Sequence, residues 1–365
     1  MTEFNTTGIL FDIFLFLTCL IKLYPAINDK SVSSFNIKIC TLFSLLFFLF
    51  PFYGGDYYHY LEYYTKALSN PHLNSSLEEI YSTIANNTFG SYTLFRLIIW
   101  GSSMLLIIKT ANGIGLPKPI FLLVLSCCFI TVLAYARVTL SMALIFYGTY
   151  ILATKKNVLY LILGIGFICV SFFFHKSALF GIAMVVCVLI CQRIGRTSYI
   201  IFLLSIPLVI GILSYFISDF LQTSIAEEYI NIDSAQGYLS SEKTEKGMGA
   251  LILNFLQRTP YYCLSLIFFL LVIRNKLSLL PKQLQLFGSL TFLITITASL
   301  YLIDMGLNTY VLYYRFLTFA AIPSVIFLST LKLYKIYNRL TTLTFYMLVC
   351  STAYSLLYTC YLSIL

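Results

Sequence analysis

Charge is what this sequence has least of. Lysine, arginine, aspartate and glutamate make up 10% of its 365 residues, where a soluble domain carries about 25%. That scarcity excludes an ordinary water-exposed surface. Negative charge is scarcer still: 14 acidic residues face 23 basic ones, a formal net charge of +9. The excess does not point to nucleic acid, because the basic residues are dispersed between apolar runs without a cluster or a binding motif. The 10 cysteines include no C-x-x-C pair, and all lie within or at the ends of apolar runs. They read as small buried hydrophobes, so no metal site and no cofactor is expected. Internal repeats and low-complexity tracts are also absent.

What remains is a chain of apolar runs, 59% hydrophobic overall. Candidate spans cover 8–23, 38–53, 93–108, 119–136, 138–153, 157–174, 177–191, 198–217, 259–273, 284–303, 311–330 and 341–362. Each approaches the length that crosses ~30 Å of hydrocarbon as a helix. The expected fold is an all-α polytopic integral membrane protein of about 12 spans, one transmembrane domain over 1–365. The stretch 249–258 is amphipathic and is expected at the interface before the ninth span. The first span lacks the basic leader and small-residue cleavage site of a signal peptide, and it carries Asp12.

Orientation follows from the lysines and arginines. With the amino terminus outside, 15 of them fall on the inner side, from Lys22 to Arg339, and eight on the outer side. Of the acidic residues only Asp29 is then inside and Asp12 within a span; the other 12 are outside. Two outer loops are long: roughly 54–92 and 218–248, the second extending to 258 with the amphipathic stretch.

Some residues on that outer side could carry chemistry. The segment 54–64, GGDYYHYLEYY, holds Asp56, Tyr57, His59 and Tyr60 where the second span emerges. Aromatic rings beside a carboxylate suit sugar recognition; an interfacial tyrosine belt is the plain alternative. Arg137 sits in a minimal turn in AYARVTLSMAL. A charge there is usually paired or functional, or else a snorkelling arginine. His175 and Lys176 occupy another minimal turn, in FFFHKSALF. The histidine could serve as a base, hydrogen-bond a phosphate, or be structural. Arg258 in QRTPYY and Arg315 in VLYYRFL, beside Tyr314, also neighbour tyrosines. Asp304 lies across a short loop and could pair with Arg315. Arg96 is a weaker candidate inside the third span. Arginine grips phosphate in a bidentate fork and keeps its charge, so these cations suggest an anionic, diphosphate-like ligand.

The ordered series GGDYYHY after the second span, RVTLSMAL at 137–144 and FHKSAL at 174–179 resembles the EpsG-like branch of the bacterial Wzy polymerases. Those proteins build O-antigen, capsule or exopolysaccharide. The resemblance implies polymerisation of undecaprenyl-diphosphate-linked oligosaccharide repeats at the outer face of the bacterial cytoplasmic membrane. The growing glycan would leave its lipid diphosphate and join the next lipid-linked repeat. A flippase and a chain-length regulator are the implied partners, and no nucleic acid is. No D-x-D triplet occurs, so a metal-independent glycosyltransferase is expected. In this assignment Arg137, His175 and Asp56 are catalytic. Arg258, Arg315, Lys176, Tyr57, Tyr60, Asp304 and Tyr314 bind substrate. Two rivals stand beside it: a ligase or other membrane transferase using the same donors, and a flippase or exporter. The second would need ionisable groups deep in the bundle, where Asp12 is the main one.

Overall fold

A chain in hydrocarbon must satisfy its own backbone, and a helix does so within one segment. The computed structural model describes residues 6–28, 30–46, 61, 64–65, 68–69, 83–128, 136–175, 177–193, 196–221, 248–300, 313 and 316–364. Side chains are described for these except 6–9, 136–137, 196–197, 211, 213–221, 248–255 and 358–364. Among the described residues there is no β-strand. The main helices are α1 (Thr6–Leu23), α2 (Ser34–Leu46), α3 (Tyr92–Gly113), α4 (Lys118–Ser126), α5 (Ala136–Thr154) and α6 (Val158–Phe174). They continue as α7 (Ala178–Cys191), α8 (Arg196–Leu221), α9 (Met248–Ile273), α10 (Lys282–Leu300), α11 (Ala321–Leu333) and α12 (Asn338–Ile364). Among the described residues, six segments are long and apolar enough to cross a membrane, and shorter apolar helices accompany them. The protein is an all-α polytopic membrane protein.

Local chemistry marks the helix ends. Ser91 caps α3 by accepting from the Leu94 N–H, and Asn157 caps α6 by accepting from the Leu159 N–H. Past the end of α3, Gly115 adopts φ +77°, and the Leu116 N–H returns to the Ala111 carbonyl at 3.0 Å. That left-handed stop favours glycine.

Close packing rather than apolarity joins the helices, because lipid is as apolar as they are. Between α5 and α6 the approach is tightest at Gly148, where an added Cβ would stand 2.6 Å from the Gly164 carbonyl oxygen. Helices α10 and α11 form the centre, with Phe268 edge-on to Phe327 across Gly288. The outward faces of α6 and α8 stay apolar, with Leu161, Ile162 and Leu208 exposed; hydrocarbon is their natural solvent.

Three expectations change in detail. The stretch 249–258 is helical and continuous with the following span as α9, with Pro260 inside the helix. Within the fourth expected span, α4 has nine residues, about 14 Å, and 129–135 lie outside the described residues. Its buried end is met by α12, where the Thr352 hydroxyl donates to the Cys127 carbonyl at 2.6 Å. Finally, most described cysteines are buried or half-buried, but Cys169 and Cys350 are exposed.

Short turns alternate the helix directions. Turn 155–157 lies at one end of the α5–α6 hairpin, and His175 and Ser177 lie at the other. We call the second the motif end and the first the basic end.

Candidate functional site

Two of the quoted sequence motifs meet at the motif end. Ser141, one turn beyond Arg137 in α5, donates from its hydroxyl to the Ser171 carbonyl of α6 at 3.1 Å. The His175 N–H bonds the same carbonyl at 3.4 Å. One oxygen therefore ties the RVTLSMAL helix to the FHKSAL turn. Beside it, Phe174 and Phe167 pack on Phe95, Leu140 and Leu144, which adds the start of α3. The backbone of Arg137 lies in the first turn of α5; its side chain lies outside the described ones.

His175 closes α6 in extended conformation, φ −160° and ψ 127°. Its Nδ1 accepts the Ser177 backbone N–H at 3.2 Å, and the Ser177 hydroxyl also contacts Nδ1. An amide N–H can only donate. The neutral ring thus keeps the Nδ1 lone pair toward Ser177 and its proton on Nε2. Nε2 is then a donor, suited to an anionic oxygen rather than to removing a proton.

Arg258 lies on α9, half-buried, with its guanidinium carbon 4.3 Å from the centroid of the Tyr313 ring. Tyr313 is fully buried. Its hydroxyl is 3.1 Å from that of Tyr262, which lies 2.8 Å from Ser299 Oγ. Ser299 spends its proton on the Thr295 carbonyl at 2.6 Å. The direction of the chain follows: Tyr262 donates to Ser299, and Tyr313 donates to Tyr262. Hydroxyls from three chain segments thus lock the ring that supports the arginine. Such a cation–π shelf fixes the position of the guanidinium.

Aromatic stacking links the two centres. Phe180, in the first turn of α7, stacks on Phe316 with centroids 4.2 Å apart and meets Phe319 edge-on. The turn bearing His175 and the segment bearing Tyr313 therefore belong to the same end of the bundle.

Two other sequence candidates have structural partners. Arg96 is buried on α3, near the Tyr92 ring at 5.9 Å, and it acts electrostatically on buried Asp12 of α1. Among the described residues, the buried acid Asp12 thus lies within the electrostatic reach of a cation on another helix. Tyr64, which ends the tyrosine-rich segment, is buried; it hydrogen-bonds Thr88 Oγ1 at 2.9 Å and packs on Tyr92 and Phe95. It is an anchor, the plainer of the two roles open to those tyrosines.

Asp56, Tyr57, Tyr60, Lys176, Asp304, Tyr314 and Arg315 lie outside the described residues. Among the described residues, no group of three or more His, Cys, Asp or Glu side chains could hold a metal. Sequence reasoning missed Tyr313, Tyr262 and Ser177. Tyr313 carried a signal, since it stands three residues before Phe316, one helical turn apart.

The model of the EpsG family matches residues 36–364, nearly the whole chain. No curated protein and no solved structure matches it.

Proposed function

The chain belongs to the EpsG family, and from that premise we propose that it is a membrane glycosyltransferase that polymerises lipid-linked oligosaccharide repeats. The observation that carries the reading is the preorganised Arg258 on its Tyr313 shelf, at the end of the bundle that also holds His175. A diphosphate leaving group chiefly needs fixed positive charge and hydrogen-bond donors. The substrate we propose is undecaprenyl-diphosphate-linked oligosaccharide, used at the outer face of the bacterial cytoplasmic membrane beside a flippase and a chain-length regulator.

In this mechanism the anomeric C–O bond to the diphosphate breaks as a new C–O bond forms to the acceptor hydroxyl. The lipid diphosphate leaves, and the hydroxyl proton passes to a base. Arg137, Arg258 and Arg315, with Lys176, hold the diphosphate. His175 joins the same task, donating from Nε2 to a phosphate oxygen, a role its Nδ1 contact with Ser177 supports. The base is then a carboxylate, Asp56 or Asp304. Tyr57, Tyr60 and Tyr314 flank the acceptor sugar.

Replacing His175, Arg137 or Arg258 with alanine and separating the glycan on a gel tests this. Single repeat units in place of long chains are expected, at normal protein level. A ligase defect would differ, leaving polymer on its lipid carrier. Undiminished long chains in all three variants would sink the reading.

A further inference from the structure

At the basic end, helices α5 to α10 enclose a cavity of about 650 Å³. That volume is within the range of ligand sites, roughly 300–1,000 Å³. One wall is apolar and faces the lipid: Leu161 and Ile165 of α6 line the cavity and are each 49% exposed. The rim is cationic and polar, with Arg193 after α7 and Lys282 at the start of α10. Gln192 donates from Nε2 to the Lys282 carbonyl at 3.5 Å, which holds these two chain segments side by side. The amino terminus of α10 adds partial positive charge there.

The segments around the cavity carry no negative charge of their own. Segments 154–157, 191–197 and 274–282 contain Lys155, Lys156, Arg193, Arg196, Arg274, Lys276 and Lys282, and no acidic residue. Basic residues collect at one face of most multi-span proteins. A cavity with an apolar wall open to hydrocarbon beneath them is a further feature. A soluble anion would leave that wall uncovered. An uncharged lipid would leave the rim uncompensated.

We propose that this cavity binds one anionic phospholipid, its phosphate between Arg193 and Lys282 and an acyl chain along Leu161 and Ile165. The inference stands apart from the polymerase reading, since it uses the opposite end of the bundle.

Native mass spectrometry of the purified full chain in detergent, with phosphatidylglycerol or phosphatidylcholine added, tests it. The wild type is expected to retain one phosphatidylglycerol and little phosphatidylcholine. The R193Q/K282Q variant should need roughly tenfold more phosphatidylglycerol for equal occupancy. The K335Q/R339Q variant, altered at the same end but away from the cavity, should match the wild type. Equal loss in both double variants would mean general surface attraction and would overturn the proposal. So would equal retention of the two lipids by the wild type. If R193Q/K282Q misfolds, I165W decides, because it fills the apolar wall and keeps every charge. Unchanged phosphatidylglycerol retention by I165W would overturn the site.

Discussion

At the scale of single residues, the tautomer of His175 makes the sharpest prediction. A glutamine amide can donate near the position of Nε2 but cannot act as a base. H175Q should therefore retain clearly longer glycan chains on a gel than H175A; equal loss would return the base role to His175. Ser177→Ala keeps the backbone N–H donor and should give only a mild shortening. The Tyr313 shelf is open to a similar dissection. Y313F keeps the ring under Arg258 and loses the bond to Tyr262, whereas Y313L removes the shelf. A cation–π contact is worth about 0.5–2 kcal/mol, so Y313L should lower the polymerisation rate by roughly two- to thirtyfold, and Y313F by much less. Arg258 and His175 were legible as residues because a charge or an imidazole is conspicuous in an apolar chain. Tyr313 was not, because adjacency drew attention to Tyr314 beside Arg315. Only helical phase and the Tyr262–Ser299 chain single out its neighbour.

At the scale of elements, the α5–α6 contact depends on two glycines. A methyl group on Gly148 meets the Gly164 carbonyl oxygen at 2.6 Å, a backbone atom that cannot swing aside. Gly148→Ala should lower the melting point in detergent, by an overpacking cost of about 1–3 kcal/mol. Gly166→Ala, on the same helix as Gly164, meets nothing within 4 Å and should be neutral or slightly stabilising. Thr352→Val probes the short helix α4. It removes the hydroxyl that bonds the Cys127 carbonyl and should cost roughly 1 kcal/mol in the same melt. Apolar runs announced these helices, since hydrocarbon thickness sets their length. The early stop of α4 was hidden, because residues 127–136 are as apolar as those before them. The union of 249–258 with the following span was hidden too, since a proline such as Pro260 disfavours a continuous helix.

At the scale of the molecule, orientation is the property to measure. An impermeant thiol reagent applied to intact cells should label single cysteines placed at 137, 175 and 315, and should spare those at 155 and 335. The reverse pattern would remove the outward-facing site while leaving the fold intact. The charge asymmetry behind this expectation is plain in the sequence, where turns 154–157, 191–197 and 274–282 are wholly basic. The same end holds the cavity that we assign to an anionic lipid, and no run of residues disclosed it. Its walls come from six helices, each contributing one or two positions, and from the segments between them.

By itself the sequence determined that this protein lives in a bilayer, that it threads it with helices, and which segments between them carry the basic charge. Those properties depend on local composition and on the energy of moving each segment out of water. The tertiary structure alone decided which tyrosine supports Arg258, which ring nitrogen of His175 turns to Ser177, and that Arg96 acts on Asp12 from another helix. Such pairings depend on the rotation of each helix about its axis. That rotation is fixed by glycine contacts and hydroxyl bonds between segments far apart in the chain, which no local pattern encodes.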